Sequence, residues 1–235
     1  APRRVPPVRD ALAELHGAPT REKLEVCGTD LEKPDKSKQT VLDSLVRTML
    51  SQNTTDKTSA RAFAKLKLTF PTWLEVLAAP NAEVEEAIRE GGLAEVKTER
   101  IKIVLQTIID ERGQPNAEAG EDVSMEYCRD MPTDLVKAEL ARFKGVGPKT
   151  ISCVLMFTLM RAEFPVDTHV WHIAKKMGWV PPAATRETTY LHLNERVPDD
   201  VKYDLHVLLV DHGKRCPRCA KKGRLQKEEQ GPCPL

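Results

Sequence analysis

The sequence predicts an all-α protein, and two observations along its 235 residues support this. Apolar residues recur at the three- and four-residue spacing of amphipathic helices almost throughout the chain. The alternation of apolar and polar residues that indicates half-buried strands is nearly absent. We therefore expect helices packed around a shared core, in one large domain or two small ones.

Composition narrows the class of protein further. Hydrophobic residues make up 40% of the chain, and no apolar run reaches the length of about 18 residues that a membrane span requires. We expect a soluble monomer with no membrane partner, and the first ten residues read as a trimmed or processed start. The net charge of +1 neither favours nor excludes nucleic acid, because charge can still concentrate on one face.

The first half of the chain is expected to form five helices in order. One helix has an apolar face of Val41, Leu42, Leu45, Val46, Met49 and Leu50. Asp56 is expected to cap the next helix, and Thr72 and Asn81 are expected to cap two short ones. A longer helix follows and ends at Gly113, where a polar loop over residues 113–124 begins.

The second half continues the helical pattern. Thr133 opens a short helix that runs through Arg142, and after the turn F-K-G-V-G a second helix runs from Pro148 to about Met160. Two more helices are expected, from Thr185 to Val197 and from Asp199 to His212.

The turn between the helices of this pair carries the strongest functional signal. Gly145 and Gly147 flank Val146, and glycines there permit positive φ and let a phosphate approach bare backbone N–H groups. The N-terminus of the following helix adds unpaired donors and the positive end of its dipole. The pattern is typical of a phosphate clamp, although glycines can also serve a tight turn by geometry alone.

Two further residues stand at positions suited to chemistry. Lys149 lies in the first turn of the helix after the glycines, and Asp167 lies in F-P-V-D-T-H-V before another helix. An amine at a helix N-terminus experiences a dipole that disfavours its ammonium form. From the residues alone, Lys149 could instead be a solvated phosphate-binding lysine, and Asp167 could cap the helix that begins near Thr168.

Together these motifs resemble the endonuclease III family of helix-hairpin-helix DNA glycosylases. The hairpin K-G-V-G-P-K-T and the following V-D-T-H match the family pattern, and M-L-S-Q-N-T-T-D and G-G-L-A-E-V-K-T-E-R-I resemble two more of its segments. The similarity covers residues from about Val41 to Cys219. The stretch F-P-V-D-T-H-V-W-H-I-A-K-K-M-G-W-V-P-P also resembles the plant 5-methylcytosine glycosylases.

The resemblance implies the helix-hairpin-helix glycosylase fold, with two helical subdomains and the active-site cleft between them. Residues 37–165 would form a six-helix-type subdomain with the hairpin at about 133–160, and residues 166–213 the C-terminal one. Residues 1–36 would pack with the C-terminal subdomain, and residues 214–235 would form a basic tail that contains cysteines.

The resemblance also implies an activity. Lys149 would be the amine nucleophile of a bifunctional DNA glycosylase and abasic-site lyase, and Asp167 would stabilise positive charge on the sugar. The substrate would be double-stranded DNA with an oxidised pyrimidine, in the nucleus. Another modified base such as 5-methylcytosine, or a non-catalytic DNA-binding module, are the alternatives.

Further residues are assigned to DNA binding on the same basis. Gly145, Val146, Gly147 and Thr150 belong to the hairpin. Gln52 and Asn53 are the candidates to fill the gap that a flipped nucleotide leaves, but both amides could simply cap the preceding helix. The family has Gln where this chain has Asn53, so the gap-filling residue stays open.

The cysteines form two groups. Cys27, Cys128 and Cys153 are scattered and are expected to be inert thiols, whereas Cys216, Cys219 and Cys233 cluster in C-x2-C-x13-C. Relatives hold a [4Fe–4S] cluster with C-x6-C-x2-C-x5-C, so the set of metal ligands is incomplete. Either the chain is cut before its last ligand, or the cluster is lost, or His212 completes a zinc site.

Basic residues also gather in this segment, and phosphate contact and a solvated surface are both open for them. The group consists of Lys214, Arg215, Arg218, Lys221, Lys222, Arg224 and Lys227.

Overall fold

A computed structural model describes residues 5–20, 40–220 and 233–235, and every regular element in these ranges is helical. This confirms the all-α prediction. Eleven α-helices are described: α1 Val5–His16, α2 Val41–Leu50, α3 Asp56–Thr69, α4 Trp73–Ala78, α5 Asn81–Ile88, α6 Ala94–Arg112, α7 Thr133–Ala141, α8 Pro148–Cys153, α9 Thr168–Lys176, α10 Arg186–Arg196 and α11 Asp199–Arg215. None of the described helices is long and apolar enough to cross a membrane.

The chain divides into two compact units between Val154 and Leu155. We call the first the hairpin unit, of which residues 40–154 are described. We call the second the terminal unit, which combines both ends of the chain and has residues 5–20, 155–220 and 233–235 described. The subdomain boundaries expected at residues 36, 165 and 213 were placed from sequence motifs, and they stay a prediction.

The core of the hairpin unit forms around α2. Its apolar face is buried as expected, because each of its six predicted core residues is at most 2% exposed. Thr40 and Asp43 form a capping box at its start, and Asp43 also accepts a hydrogen bond from Trp73 Nε1 at 3.1 Å. Helix α2 packs against α3, α6 and α8, so its C-terminus reaches the hairpin.

Helix boundaries were predicted with mixed success. Thr72 caps α4 in a capping box with Glu75, and α6 ends at Gly113, both as expected. The caps assigned to Asp56 and Asn81 were wrong, since each is the first residue of its helix. Thr55 caps α3 by accepting from Thr58 N, and Pro80 precedes α5 without a side-chain cap.

The loop over residues 113–124 supports the start of α4. The Asp122 carboxylate accepts hydrogen bonds from Trp73 N at 2.8 Å and Leu74 N at 3.0 Å. A carboxylate at a helix N-terminus satisfies unpaired donors and opposes the positive end of the dipole. A remote loop thus completes this helix start.

The terminal unit is built on α11, which packs against α1 and α9, while α10 packs against α9. Leu12, Phe164, Ile173, Leu205 and Leu209 are fully buried in its core. Helix α1 was not predicted. The helix expected from Pro148 to Met160 ends as α8 at Cys153 and continues as a π-helical turn, Val154–Thr158.

Candidate functional site

The hairpin joins α7 to α8 through a short turn of fixed geometry. Gly145 has φ +87°, in the left-handed region that side chains rarely adopt. Val146 is buried, and its N–H donates to Phe143 O at 3.0 Å, which closes the turn. Gly147 is the N-cap of α8 and Pro148 its first residue, so the turn delivers the chain directly into a helix N-terminus.

Arg100 of α6 lies against this turn. A Cβ built on Gly145 would stand 2.5 Å from Arg100 Nη1, so a larger residue there would displace the Arg100 side chain. Arg100 Nε is buried and has no hydrogen-bond partner within the described residues. A guanidinium beside a candidate phosphate turn adds positive charge where an anion would bind. Arg100 was not predicted as a site residue, although it lies in the segment G-G-L-A-E-V-K-T-E-R-I.

Gln52 and Asn53 occupy different environments. Gln52 Nε2 donates to Gly145 O at 2.8 Å and to Thr150 Oγ1 at 3.4 Å, so its side chain connects the end of α2 to the hairpin. Thr150 is buried. Asn53 is exposed and has φ +57°, a conformation that asparagine tolerates better than most residues. The structure therefore engages Gln52 in the hairpin and presents Asn53 to solvent.

Lys97 stabilises the loop that carries these two amides. It is 3% exposed, and its ammonium donates to Leu50 O at 2.7 Å and Gly91 O at 2.9 Å. Burial lowers the pKa of Lys97. Leu50 is the last residue of α2, so Lys97 satisfies a carbonyl that the helix leaves unpaired. Nothing in the sequence distinguishes Lys97 from a surface lysine, and its buried role was not predicted.

Lys149 is the second residue of α8 and is partly buried. This position places its side chain in the first turn of a helix whose N-terminus follows the glycine turn. The dipole of a helix N-terminus disfavours a positive charge at such a position.

Asp167 is the N-cap of α9, in the terminal unit. Its Oδ1 accepts a hydrogen bond from Val170 N at 2.8 Å. The capping role that the residues alone left open is therefore real. It occupies one carboxylate oxygen, and a cap that fixes the side chain is compatible with a second role for the other oxygen.

The segment before Asp167 is held by polar contacts that the sequence did not reveal. Phe164 N donates to Asn194 Oδ1 at 2.9 Å, and His206 Nδ1 lies 2.9 Å from Pro165 O. Glu163 is 2% exposed and accepts from Tyr190 OH at 3.0 Å. These contacts fix the backbone that leads to Asp167 from two helices, α10 and α11.

Close packing of α9 and α11 depends on Gly213. A Cβ at Gly213 would lie 2.7 Å from His169 Cβ, a separation that real side chains essentially never show. Gly213 therefore permits the approach that positions the start of α9, where Asp167 lies, against α11.

The terminal unit also contains a cluster of histidine and cysteine side chains, which are common metal ligands. His212, Cys216, Cys219 and Cys233 place one ligand atom each within 4.8 Å of one another. Cys219 Sγ lies 3.7 Å from Cys233 Sγ, which lies 3.5 Å from His212 Nε2. Burial raises the pKa of Cys219 to about 12. The three predicted cysteines thus meet, and the fourth member is the histidine.

This donor set does not fit the [4Fe–4S] cluster that the resemblance implies. A cubane takes four thiolates, each on a different iron atom, whereas the described residues provide three thiols and an imidazole in a tighter group.

The remaining sequence assignments fall partly outside the described residues. The assigned residues outside the described ranges are Cys27 and the basic residues Lys221, Lys222, Arg224 and Lys227. Arg215 pairs with Asp211 at 2.8 Å, and whether the basic segment contacts phosphate stays open. Cys128 and Cys153 are buried.

Comparison with known proteins agrees with this geometry. Residues 46–199 match the sequence profile of the HhH-GPD superfamily base excision DNA repair proteins. The chain is 46% identical over 248 aligned residues to the Arabidopsis thaliana protein At3g47830, provisionally named a DNA glycosylase, and the alignment covers 97% of this chain and 82% of that protein.

More distant relatives are of two kinds. The DNA glycosylase/AP lyase ROS1 of Arabidopsis thaliana is 31% identical, and the alignment covers 64% of this chain but only 12% of ROS1. Endonuclease III of Thermotoga maritima is 29% identical, and the alignment covers 73% of this chain and 72% of that protein.

The fold is shared with solved structures. A trapped covalent complex of endonuclease III with DNA has a TM-score of 0.69 at 21% identity, and the match covers 97% of this chain and 90% of that one. These matches confirm the resemblance and the fold class inferred from the motifs. The chain therefore belongs to the HhH-GPD superfamily of base excision DNA repair proteins.

Proposed function

We propose that this protein is a bifunctional DNA glycosylase and abasic-site lyase that removes oxidised pyrimidines from double-stranded DNA. The observation that carries the proposal is Lys149 in the first turn of α8, directly after a glycine turn with φ +87° at Gly145. The partial burial of Lys149 favours a nucleophile over a solvated lysine that only binds phosphate.

The hairpin is assigned to the DNA backbone. Gly147 leaves open space where a Cβ would stand, and the N-terminus of α8 offers backbone N–H donors beside it. Phosphate oxygens bind such helix N-termini through these donors and the dipole. Contacts of this kind position the protein on a duplex without reading its sequence.

Asn53 is assigned to the gap that the flipped nucleotide leaves. A glycosylase must take its target base out of the stack, and a side chain that enters the gap offsets part of the cost of unstacking. Asn53 is exposed, whereas Gln52 is engaged with Gly145 O and Thr150. Asn53→Ala is therefore expected to slow base release more than it weakens binding to undamaged duplex.

The chemistry assigns one step to each of the two remaining residues. As the bond between base and C1′ breaks, the sugar becomes positively charged, and the Asp167 carboxylate stabilises that charge. The neutral amine of Lys149 bonds to C1′, and the base leaves with the electron pair and takes up a proton. Loss of the amine proton and ring opening give a Schiff base, from which β-elimination expels the 3′ phosphate.

Borohydride trapping tests the nucleophile. Borohydride reduces a Schiff base to a stable amine, so wild-type protein is expected to become covalently linked to duplex that contains an oxidised pyrimidine. Lys149→Gln is expected to abolish the linkage. Lys144→Gln is the matched control, because it removes a positive charge from the same hairpin at an exposed position, and it should leave trapping intact at protein concentrations that saturate the duplex.

The outcomes separate the roles. Trapping by folded Lys149→Gln protein at the wild-type level would refute the nucleophile, and base release without trapping by the wild type would refute the lyase step. Tight, salt-dependent duplex binding with no base released from any substrate would identify a binding module.

The second candidate substrate is 5-methylcytosine. It is favoured by the resemblance of residues 164–182 to the plant 5-methylcytosine glycosylases, and the chain is also 31% identical to the plant protein ROS1 over 64% of its length. Release of each base from otherwise identical duplexes decides between them: the proposal expects the oxidised pyrimidine to be released faster, and the reverse order assigns 5-methylcytosine.

A further inference from the structure

We propose that His212, Cys216, Cys219 and Cys233 bind a single zinc ion in place of the [4Fe–4S] cluster of endonuclease III relatives. The observation is the meeting of three thiols and one imidazole, with one ligand atom each within 4.8 Å. Three cysteines and one histidine are a common ligand set of structural zinc sites. This inference is independent of the proposed reaction.

The distances distinguish one ion from a cluster. A tetrahedral zinc with Zn–S bonds of about 2.3 Å separates two sulfurs by about 3.8 Å, and a sulfur and an imidazole nitrogen by about 3.6 Å. The corresponding separations here are 3.7 Å between Cys219 Sγ and Cys233 Sγ, and 3.5 Å between Cys233 Sγ and His212 Nε2. A cubane binds each thiolate to a different iron, which holds the sulfurs roughly 6 Å apart.

The backbone between the first two cysteines supports the same geometry. Cys216 O accepts hydrogen bonds from Cys219 N at 3.1 Å and from Ala220 N at 2.8 Å. The two bonds close a tight turn directly after α11. Such a turn brings two cysteines with C-x2-C spacing to one ion, and Cys233 and His212 complete the set.

His212 has the second contact that ligating histidines require. Its Nε2 faces Cys233, and its Nδ1 lies 2.9 Å from His16 Nε2 in α1. With Nε2 on zinc, Nδ1 carries the ring proton and donates it to His16. Ligating histidines almost always make such a bond, which fixes the tautomer and the ring orientation. His16 is thus a positioning residue for the site.

Charge is balanced at the proposed centre. Binding of Zn²⁺ releases the three thiol protons to solvent and leaves one net negative charge. Lys176 Nζ lies 3.5 Å from Cys219 Sγ and also donates to Arg218 O at 2.8 Å. The ammonium offsets the negative charge without entering the coordination sphere.

Metal content and spectroscopy test the proposal on the whole chain. The protein is unfolded, stripped of metal and refolded anaerobically with either zinc or ferrous iron plus sulfide. We expect one zinc per chain, a colourless protein, and no stable uptake of iron and sulfide. With cobalt(II) as the probe, the spectrum should be that of a tetrahedral ion bound by thiolates and one nitrogen.

Variants of His212 and His16 test the roles proposed for these two histidines in zinc binding. His212→Gln is expected to weaken zinc binding at least tenfold in competition with a chelator and to change the cobalt spectrum. His16→Gln leaves all four ligands in place and should weaken zinc binding about 10- to 100-fold. His192→Gln, at an exposed histidine of α10, is the control and should bind zinc like the wild type.

Three results would overturn the proposal. The first is uptake of about four irons with sulfide, together with absorption in the visible range. The second is a refolded chain that binds no zinc. The third is a His212→Gln protein with wild-type zinc affinity and an unchanged cobalt spectrum. The His16→Gln and cobalt measurements keep the test informative if His212→Gln fails to fold.

Discussion

Single residues in the hairpin unit carry more of the site than their sequence context suggests. Lys97 is the clearest example, because a nearly fully buried ammonium donates to Leu50 O and Gly91 O beneath the loop with Gln52 and Asn53. A charged group survives burial only when its donors are satisfied. The loop and the lysine therefore stabilise each other.

Lys97→Met tests this dependence. The change leaves two buried carbonyls without their donor, and we expect the free energy of unfolding to fall by about 2–4 kcal/mol. Lys65→Met is the control, since the exposed Lys65 ammonium also donates to a carbonyl, Glu86 O at 3.1 Å, and should cost less than about 1 kcal/mol. Equal losses in urea titrations of the two variants would contradict the role of Lys97.

The difference in stability between the wild type and Lys97→Met should also depend on pH. Because burial lowers the pKa of Lys97, the unfolded chain binds more protons than the folded one between that lowered pKa and the ordinary value of about 10.4. The stability of the wild type relative to Lys97→Met should therefore rise as pH increases toward 10.4. A relative stability that falls over this window would show the opposite shift.

At the scale of elements, the two glycines of the hairpin turn have separable tasks. Gly145 has φ +87° and faces Arg100, so Gly145→Ala is expected to cost about 1–2 kcal/mol of stability. Gly147 is extended and has open space at its Cβ position, so Gly147→Ala should leave the melting temperature nearly unchanged.

Duplex binding then distinguishes a phosphate clamp from a simple turn. In a clamp, the open space at Gly147 is where a phosphate approaches the backbone, and the added methyl group should weaken binding several-fold. Wild-type affinity of a folded Gly147→Ala protein, measured by fluorescence anisotropy, would mean that the glycines serve geometry alone.

The sequence predicted those elements whose signals are local. The apolar face of α2, the capping box of Thr72, and the helix start at Pro148 depend on neighbouring residues, and all three were predicted correctly. The chain between Cys153 and Thr158 was not, because a π-helical turn differs from an α-helix by one hydrogen-bond register and leaves no pattern in the sequence.

What the sequence could not predict depends on tertiary contacts. Arg100 looks like any charged helix residue until α6 is placed beside Gly145, and Asp122 looks like a loop residue until it meets α4. The roles of Lys149 and Asp167 came from resemblance rather than from periodicity, and they stay predictions until the trapping experiment is done.

At the scale of the whole molecule, DNA affinity must arise from local charge. The chain has 36 basic and 35 acidic residues, so long-range attraction to DNA is weak. Binding should then depend on a few phosphate contacts, with the hairpin among them. We expect Lys144→Gln to reduce the slope of log K against log salt concentration by about 0.9, the effect of one lost contact. An unchanged slope would remove Lys144 from the interface.

The pairing of His16 with His212 has a consequence for biosynthesis. These residues are 196 positions apart, and Cys233 follows later still, while the hairpin unit lies between them in the chain. On a ribosome that adds about 5–20 residues per second, His16 is synthesised roughly 10 s or more before His212. The hairpin unit can fold during that interval, so metal loading at the proposed zinc site would follow the folding of the hairpin unit.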